Sequence, residues 1–297
     1  MGKNGAIQRR LRHLGWTADF GGAVAVARPG SLCSESMRRR DSLMNPFDLT
    51  GRVAVVTGGN GGIGLGMAEG LARAGAAIVI AARNREKSEA AVAALASSGA
   101  RSAFIEFDVA DPNSCRAMVW QAVERFGRLD ILVNNAGMSI RKPPEAYEDA
   151  EWRQVLDTNL GGAFACCQAA HMPMKRQGGG KIINIGSMMS IFGGAYAAAY
   201  STSKGGIVQM TKSLATAWAK DNIQANAVLP GWIDTELTRR AREQVPGLNE
   251  RVLGRTPAGR WGMPEDLAGI AVFLAAAASD FVTGAAIPVD GGYAAEF

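Results

Sequence analysis

Three side chains in this sequence are of types that move or stabilise a proton: Ser187, Tyr200 and Lys204. Tyr200 and Lys204 are four residues apart, so on a helix they share a face. A phenol with an ordinary pKa near 10 is a poor acid or base at neutral pH, and a neighbouring ammonium stabilises the phenolate and brings that value down. So tuned, the phenol can give a proton to a carbonyl oxygen or take one from an alcohol. Ser187 stands 13 residues before Tyr200, just past the apolar run 181–185. It can donate a hydrogen bond to the same oxygen and stabilise the charge that develops there. A Tyr and a Lys at this spacing are also an ordinary pair on a helix surface. What lifts them above that is a hydroxyl at the carboxyl end of a strand, where open α/β sheets bind ligands.

A second chemical feature lies upstream. The run Thr57, Gly58, Gly59, Asn60, Gly61, Gly62, Ile63, Gly64 follows the β-branched stretch 52–56 and precedes a helical stretch at 67–74. A strand, a Gly-rich turn and a helix form the first half of a βαβ unit, whose bare N–H groups and helix N-terminus attract phosphate. Taken alone, the run also fits an ordinary tight strand–helix turn. Side chains at Gly58, Gly62 or Gly64 would keep a pyrophosphate away. The next strand, 77–81, ends in Ala82, Arg83 and Asn84 rather than in an acid. A carboxylate there would bind ribose hydroxyls and repel a 2′-phosphate, whereas a guanidinium can pair with one bidentately. Arg83 therefore either favours NADP(H) over NAD(H) or is a solvated residue opening the next helix.

The spacing G-x3-G-x-G at positions 58–64, the Tyr200/Lys204 pair and Ser187 together resemble the short-chain dehydrogenase/reductase family, and the resemblance extends over 49–297. It implies an NAD(P)-dependent oxidoreductase interconverting a secondary alcohol and a ketone, with Ser187, Tyr200, Lys204 and Asn159 as catalytic residues. In that family the residue matching Asn159 helps hold a water-linked proton path to the lysine. The resemblance further assigns cofactor contacts to Thr57, Gly58, Asn60, Gly61, Gly62, Ile63 and Gly64. It adds Asp108 beside the adenine ring with Val109, the Asn135–Ala136–Gly137 turn, and Pro230, Gly231, Ile233 and Thr235 near the nicotinamide carboxamide. Within the family the matching pieces, among them 140–143, 180–187 and 255–262, are most like gluconate 5-dehydrogenases and 2-deoxygluconate 3-dehydrogenases.

Composition bounds the rest. The chain has 297 residues, 47% of them hydrophobic, which suits one large α/β domain. Strands alternate with helices from 52 to 290, so a doubly wound, Rossmann-like parallel sheet with helices on both faces is expected. The alanine-rich stretch 271–278 reads as a helix far too short to span a bilayer, and no membrane partner is expected. Residues 1–43 hold eight Lys or Arg and three acids, which accounts for the whole formal charge of +5. The basic character thus belongs to this extension, and the remainder gives no ground for nucleic-acid binding. Three readings stand for it, in order: a start codon chosen upstream of Met44, an Arg-rich transit peptide, and a disordered interaction arm. The four cysteines, Cys33, Cys115, Cys166 and Cys167, fit neither a zinc spacing nor a disulfide framework. A reducing cytoplasm is the simplest setting, no metal site is expected, and His13 and His171 read as surface residues.

The substrate pocket is expected from the loops 138–144, 188–196 and 232–249. Arg141 either pairs with a substrate carboxylate or is a plain loop cation; Ser187 and Tyr200 complete the substrate contacts. The favoured reading is a sugar-acid oxidoreductase acting on a small molecule such as gluconate, assembled as a homotetramer through helices near 155–175 and 200–220. Two alternatives stand beside it: a 3-oxoacyl-carrier-protein reductase, and a catalytically silent cofactor-binding regulator.

Overall fold

Strand β1 (Val53–Thr57) is followed by helix α1 (Gly62–Arg73) in a computed structural model that describes residues 45–296. The chain then alternates β2 (Ala77–Ala82), α2 (Arg85–Ser97), β3 (Ser102–Glu106), α3 (Pro112–Phe126) and β4 (Ile131–Asn134). The second half runs α4 (Asp149–Leu156), α5 (Gly162–Arg176), β5 (Gly180–Ile185), α6 (Ala198–Trp218), β6 (Ile223–Pro230), α7 (Glu236–Gln244), α8 (Leu248–Arg255), α9 (Ala268–Ala275) and β7 (Ala286–Val289). All seven strands are parallel, in the order β3-β2-β1-β4-β5-β6-β7. The order reverses between β1 and β4. That switch point opens a crevice beyond the carboxyl ends of the strands.

The strand period of two explains how both faces are covered. Val53 and Val55 pack with Met118 and Ala122 of α3, Met174 of α5 and Leu214 of α6. Ala54 and Val56 point the other way, to Met67 and Leu71 of α1, Leu95 of α2 and Leu274 of α9. Burial on both sides is why these strands read as continuous apolar runs rather than alternating ones.

Helix ends follow local chemistry. Asn84 caps α2 by accepting from the Lys87 N–H at 2.9 Å. At α3, Asp111 is the cap, Pro112 opens the helix and Gly127 closes it in a left-handed conformation. Helix α1 differs: no side chain caps it and no acid lies in its first turn. It also begins at Gly62, earlier than the helical stretch at 67–74 read from sequence, because its first turn is rich in glycine and only packing settles such residues as helix. The alanine-rich stretch 271–278 is helical to Ala275; Ala276 is extended and a separate short turn, Ala277–Ser279, follows. No helix among the described residues is long and apolar enough to cross a membrane. The extension 1–43, with Cys33 and His13, lies outside the described residues.

Candidate active site

The glycine turn sits at the switch point and is tied there by its neighbours. Thr57, buried at the end of β1, donates through its hydroxyl to the Val133 carbonyl at 3.3 Å. The same oxygen accepts the N–H groups of Asn135 at 3.0 Å and Ala136 at 3.1 Å. Asn135 answers by donating from Nδ2 to the carbonyls of Thr57 at 3.0 Å and Gly58 at 3.2 Å. Both side chains are engaged within the protein and brace the turn from inside. Asn60 likewise donates to Ser88 Oγ at 3.0 Å and fastens the turn to α2.

Gly58 and Gly62 have φ of 62° and 53°, values that favour glycine. Gly64 has a different reason. A Cβ there would lie 2.5 Å from Asn135 Nδ2 and 2.6 Å from the Gly58 carbonyl. The turn's own packing therefore excludes a side chain at Gly64, whatever binds.

The residues present fit a dinucleotide. The N-terminus of α1 has no side-chain cap, so its first N–H groups lack a capping partner and it carries a partial positive charge. Past the ends of β2 and β3 lies a 370 Å³ cleft lined by Arg83, Glu106, Phe107, Asp108 and Ser114. Arg85 is already engaged, with Glu106 at 2.7 Å and Glu89 at 3.4 Å. Arg83 is exposed and makes no ion pair among the described residues. Asp108 accepts the Ala110 N–H at 3.1 Å, and its own N–H donates to Ser114 Oγ at 3.0 Å. Val109 packs against Gly162. On the far side, a Cβ at Gly137 would approach Asn159 Oδ1 at 3.1 Å and Lys204 Nζ at 3.6 Å, and one at Gly231 would meet Asp290 Cα at 2.6 Å.

Ser187, Tyr200 and Lys204 meet past the end of β5. Ser187 accepts the Met189 N–H at 3.1 Å and stands beside Tyr200, whose phenol it pulls down. Ser190, which the sequence reading missed, braces the group. Its hydroxyl accepts the Ser187 N–H at 3.2 Å and donates to the Lys204 carbonyl at 2.7 Å. Lys204 is 4% exposed, donates from Nζ to the Ile185 carbonyl at 2.7 Å and lies 5.7 Å from the centre of the Tyr200 ring.

Burial brings the Lys204 ammonium down to about 8. The same cause pushes the Tyr200 phenol above its ordinary value, against the Ser187 hydrogen bond and the charge of Arg141, which both pull it down. The expected lowering of the phenol is corrected in sign: desolvation dominates over the pull of Ser187 and Arg141. At neutral pH the phenol keeps its proton.

Asn159 stands in a π-helical segment, Asp157–Gly161, between α4 and α5. Such widened turns often mark functional sites. Its Oδ1 accepts the Met138 N–H at 2.8 Å, and Nδ2 donates to the Met138 carbonyl at 2.9 Å and to Ser203 Oγ at 3.0 Å. Ser203 donates onward to the Tyr200 carbonyl at 2.7 Å. The Asn159 side chain is therefore a clamp joining the loop after β4 to α6.

That clamp fixes one end of the loop carrying Arg141. Tyr147 holds the Ile140 carbonyl at 2.5 Å. Lys142 pairs its backbone with Ala197 and its Nζ with Glu151 at 2.5 Å. Arg141, between these two fixed residues, is exposed and has no ion-pair partner among the described residues, yet its charge reaches Tyr200.

The segment after Pro230 is more internal than expected. Ile233 is buried and its carbonyl accepts from the Thr238 hydroxyl at 2.5 Å. The Thr235 hydroxyl caps α7 by accepting the Thr238 N–H at 3.4 Å. Only the Thr235 methyl faces the turn, 3.3 Å from a Cβ at Gly62. Of the residues read as bland, His171 proves half-buried, with Nε2 2.9 Å from Asp221 and its ring stacked on Trp218 at 4.7 Å. The thiols of Cys115, Cys166 and Cys167 are buried, and burial pushes Cys167 up to about 12.

A family profile described as enoyl-(acyl carrier protein) reductase matches residues 58–294. The chain is 42% identical over 254 residues to a 2-dehydro-3-deoxy-D-gluconate 5-dehydrogenase of Dickeya dadantii (strain 3937), covering 85% of this chain and 99% of the relative. It is 41% identical over 249 residues to a gluconate 5-dehydrogenase of Gluconobacter oxydans (strain 621H), covering 83% and 96%. Among solved structures, a gluconate 5-dehydrogenase from Burkholderia cenocepacia J2315, in complex with NADP and tartrate, superposes with a TM-score of 0.82 at 42% identity, covering 86% of this chain and all of that one.

Proposed function

The chain belongs to the short-chain dehydrogenase/reductase family, and from that premise we propose that it is an NADP(H)-dependent oxidoreductase that interconverts a secondary alcohol and a ketone on a sugar acid such as gluconate. The observation that carries the reading is the convergence of Ser187, Tyr200 and Lys204 at one strand end, with the charge of Arg141 acting on the same phenol.

Each group has one task. The nicotinamide cofactor supplies the hydride in reduction and accepts it in oxidation. The Tyr200 hydroxyl gives its proton to the carbonyl oxygen, or takes one from the alcohol. Ser187, whose oxygen already accepts the Met189 N–H, donates to that same oxygen and stabilises its developing charge. Lys204, held by Ile185, places a positive charge beside the phenolate that forms. Arg141 pairs with the substrate carboxylate and so positions the carbon skeleton.

The N–H groups at the start of α1 would hold the pyrophosphate, and Arg83 would take the 2′-phosphate. The unpaired state of Arg83 beside the already paired Arg85 supports NADP(H) as the preferred cofactor, with NAD(H) accepted less well; relatives crystallised with NADP agree. The proposed setting is the cytoplasm. The proposed assembly is a homotetramer, supported by Phe164 and Met172, which α5 leaves exposed at 46% and 47%.

The test is a purified-protein screen of gluconate with NADP⁺ and keto-gluconates with NADPH, followed at the NADPH absorbance. Turnover of sugar acids with no turnover of acetoacetyl thioesters is expected. The reverse pattern would replace this reading by a 3-oxoacyl-carrier-protein reductase, and dinucleotide binding without any turnover would replace it by a silent regulator.

A further inference from the structure

Lys87 was not singled out by any motif, yet it lies across the glycine turn. Its backbone is fixed by the Asn84 cap. Its side chain runs back over the turn, so that a Cβ at Gly61 would be 3.0 Å from Lys87 Cε and 3.1 Å from Nζ. The ammonium therefore stands beside Gly61, the residue that precedes the uncapped start of α1.

Nζ is held there by an ion pair with Glu236 at 3.3 Å, which bridges residues 149 positions apart in the chain. Glu236 opens α7, and Thr235 just before it rests its methyl against Gly62. One ion pair thus ties α7 across the mouth of the seat. Both partners are about half exposed or more, at 49% and 63%, so the bond is weak and exchangeable. Glu236 also has a second cation of its own, Arg240 at 2.6 Å within the same helix. Losing Lys87 would not strand its charge.

A cation poised at a phosphate seat, on loan to a carboxylate that has another partner, suggests an exchange. We propose that Lys87 binds the pyrophosphate shared by NADP(H) and NAD(H), that Glu236 holds it in reserve, and that the ammonium passes from carboxylate to phosphate when the dinucleotide enters. The inference rests on reading the cleft as a dinucleotide site. It assigns to Lys87 a role separate from that of Arg83, which addresses the 2′-phosphate alone.

The signs of two variants test it. Lys87→Met and Glu236→Gln remove opposite halves of one ion pair, and both positions are exposed enough for the fold to persist. Dissociation constants for NADP⁺ and NAD⁺ are measured on the full chain by calorimetric titration. Lys87→Met is expected to weaken both cofactors by a similar factor, on the order of tenfold for one charge-assisted bond. Glu236→Gln, by releasing the lysine from its competitor, is expected to tighten both a few-fold. Arg83→Ala serves as a control that weakens NADP⁺ alone. A shift in the same direction for both variants would mean that the pair is merely structural and would overturn the proposal. So would a Lys87→Met effect confined to NADP⁺, which would place Lys87 on the 2′-phosphate. Wild-type protein that binds neither dinucleotide would instead overturn the underlying reading of the cleft.

Discussion

Replacing Lys204 by Met should abolish turnover and yet leave the fold as stable as before, or more so, at neutral pH. Burial lowers the ammonium from its ordinary 10.5 to about 8. At about 1.36 kcal/mol per pKa unit, keeping that side chain charged at pH 7 costs the native state about 3 kcal/mol. Met removes the charge but orphans the Ile185 carbonyl, which now accepts from Nζ at 2.7 Å. An unsatisfied buried acceptor costs about 1–3 kcal/mol. The net at pH 7 therefore falls between no change and a gain of about 2 kcal/mol. The pH dependence is sharper, because the hydrogen-bond loss is constant. Between pH 8 and 10.5 the unfolded chain holds a proton on this lysine that the folded chain has lost, so wild-type stability rises with pH across that window. Met has nothing to titrate. Urea unfolding of both proteins at fixed concentration, from pH 7 to 10.5, should show the variant's advantage shrinking by about 3 kcal/mol and turning into a deficit. A difference that stays flat with pH would refute the claim that Lys204 is carried as a costly buried charge.

The remaining expectations address single groups. Tyr200→Phe should cut turnover by about 10²–10⁴-fold, the usual worth of general acid–base catalysis, while cofactor affinity measured by titration stays near that of wild type. Because burial raises the Tyr200 phenol, reduction should run level from acid to neutral pH, whereas oxidation, which needs the deprotonated form, should quicken with rising pH; an oxidation rate independent of pH would contradict this. Arg83→Ala should raise the Michaelis constant for NADP(H) far more than for NAD(H), since only the former carries the 2′-phosphate, and equal effects would show that Arg83 points to solvent. Arg141→Ala should raise the Michaelis constant for the sugar acid with less effect on turnover, because a carboxylate contact is made in ground and transition states alike. The matching uncharged polyol should be unaffected by that change.

The fold was legible because its signals are local. Stretches such as 52–56 and 77–81 read as buried strands, and their alternation with helices implies a parallel sheet. The pairing of Tyr200 with Lys204 was legible because residues four apart on a helix share a face. What stayed hidden depends on contacts between distant segments. The engagement of Thr57 with Asn135, 78 positions away, is set by pairing β1 with β4. The Asn159 clamp on Met138 needs a π-helical turn, and nothing in Asp157, Thr158 or Leu160 announces one. The sign of the Tyr200 shift was misjudged for the same reason. Sequence shows which charge is near in the chain, but burial, which decides the sign here, is a property of the packed site. His171 was read as a surface residue because its partners, Asp221 and Trp218, lie on a different element.

The ledger of hydrogen bonds separates framework from chemistry within the motifs themselves. Thr57, Asn60, Asn135, Asn159, Thr235 and Ser190 are all bonded inside the protein. Among the described residues, the groups this pattern leaves able to bond outward include the first N–H groups of α1, the hydroxyls of Ser187 and Tyr200, and the guanidinium groups of Arg83 and Arg141. Strand order places them. Arg83 follows β2, the turn follows β1, the loop of Arg141 follows β4, and Ser187 follows β5. With strands about 4.8 Å apart, three steps from β2 to β5 span roughly 14 Å along one sheet edge. An extended ligand with an anionic phosphate at one end, a pyrophosphate at the centre and its reactive ring at the other would meet each open group in turn, and Arg141 would then be left facing a second, smaller anion at the reactive end. That division of labour accounts for why Arg83 and Arg141 are both left without an ion-pair partner among the described residues, and for why a buried lysine, costly to the fold, is retained beside Tyr200.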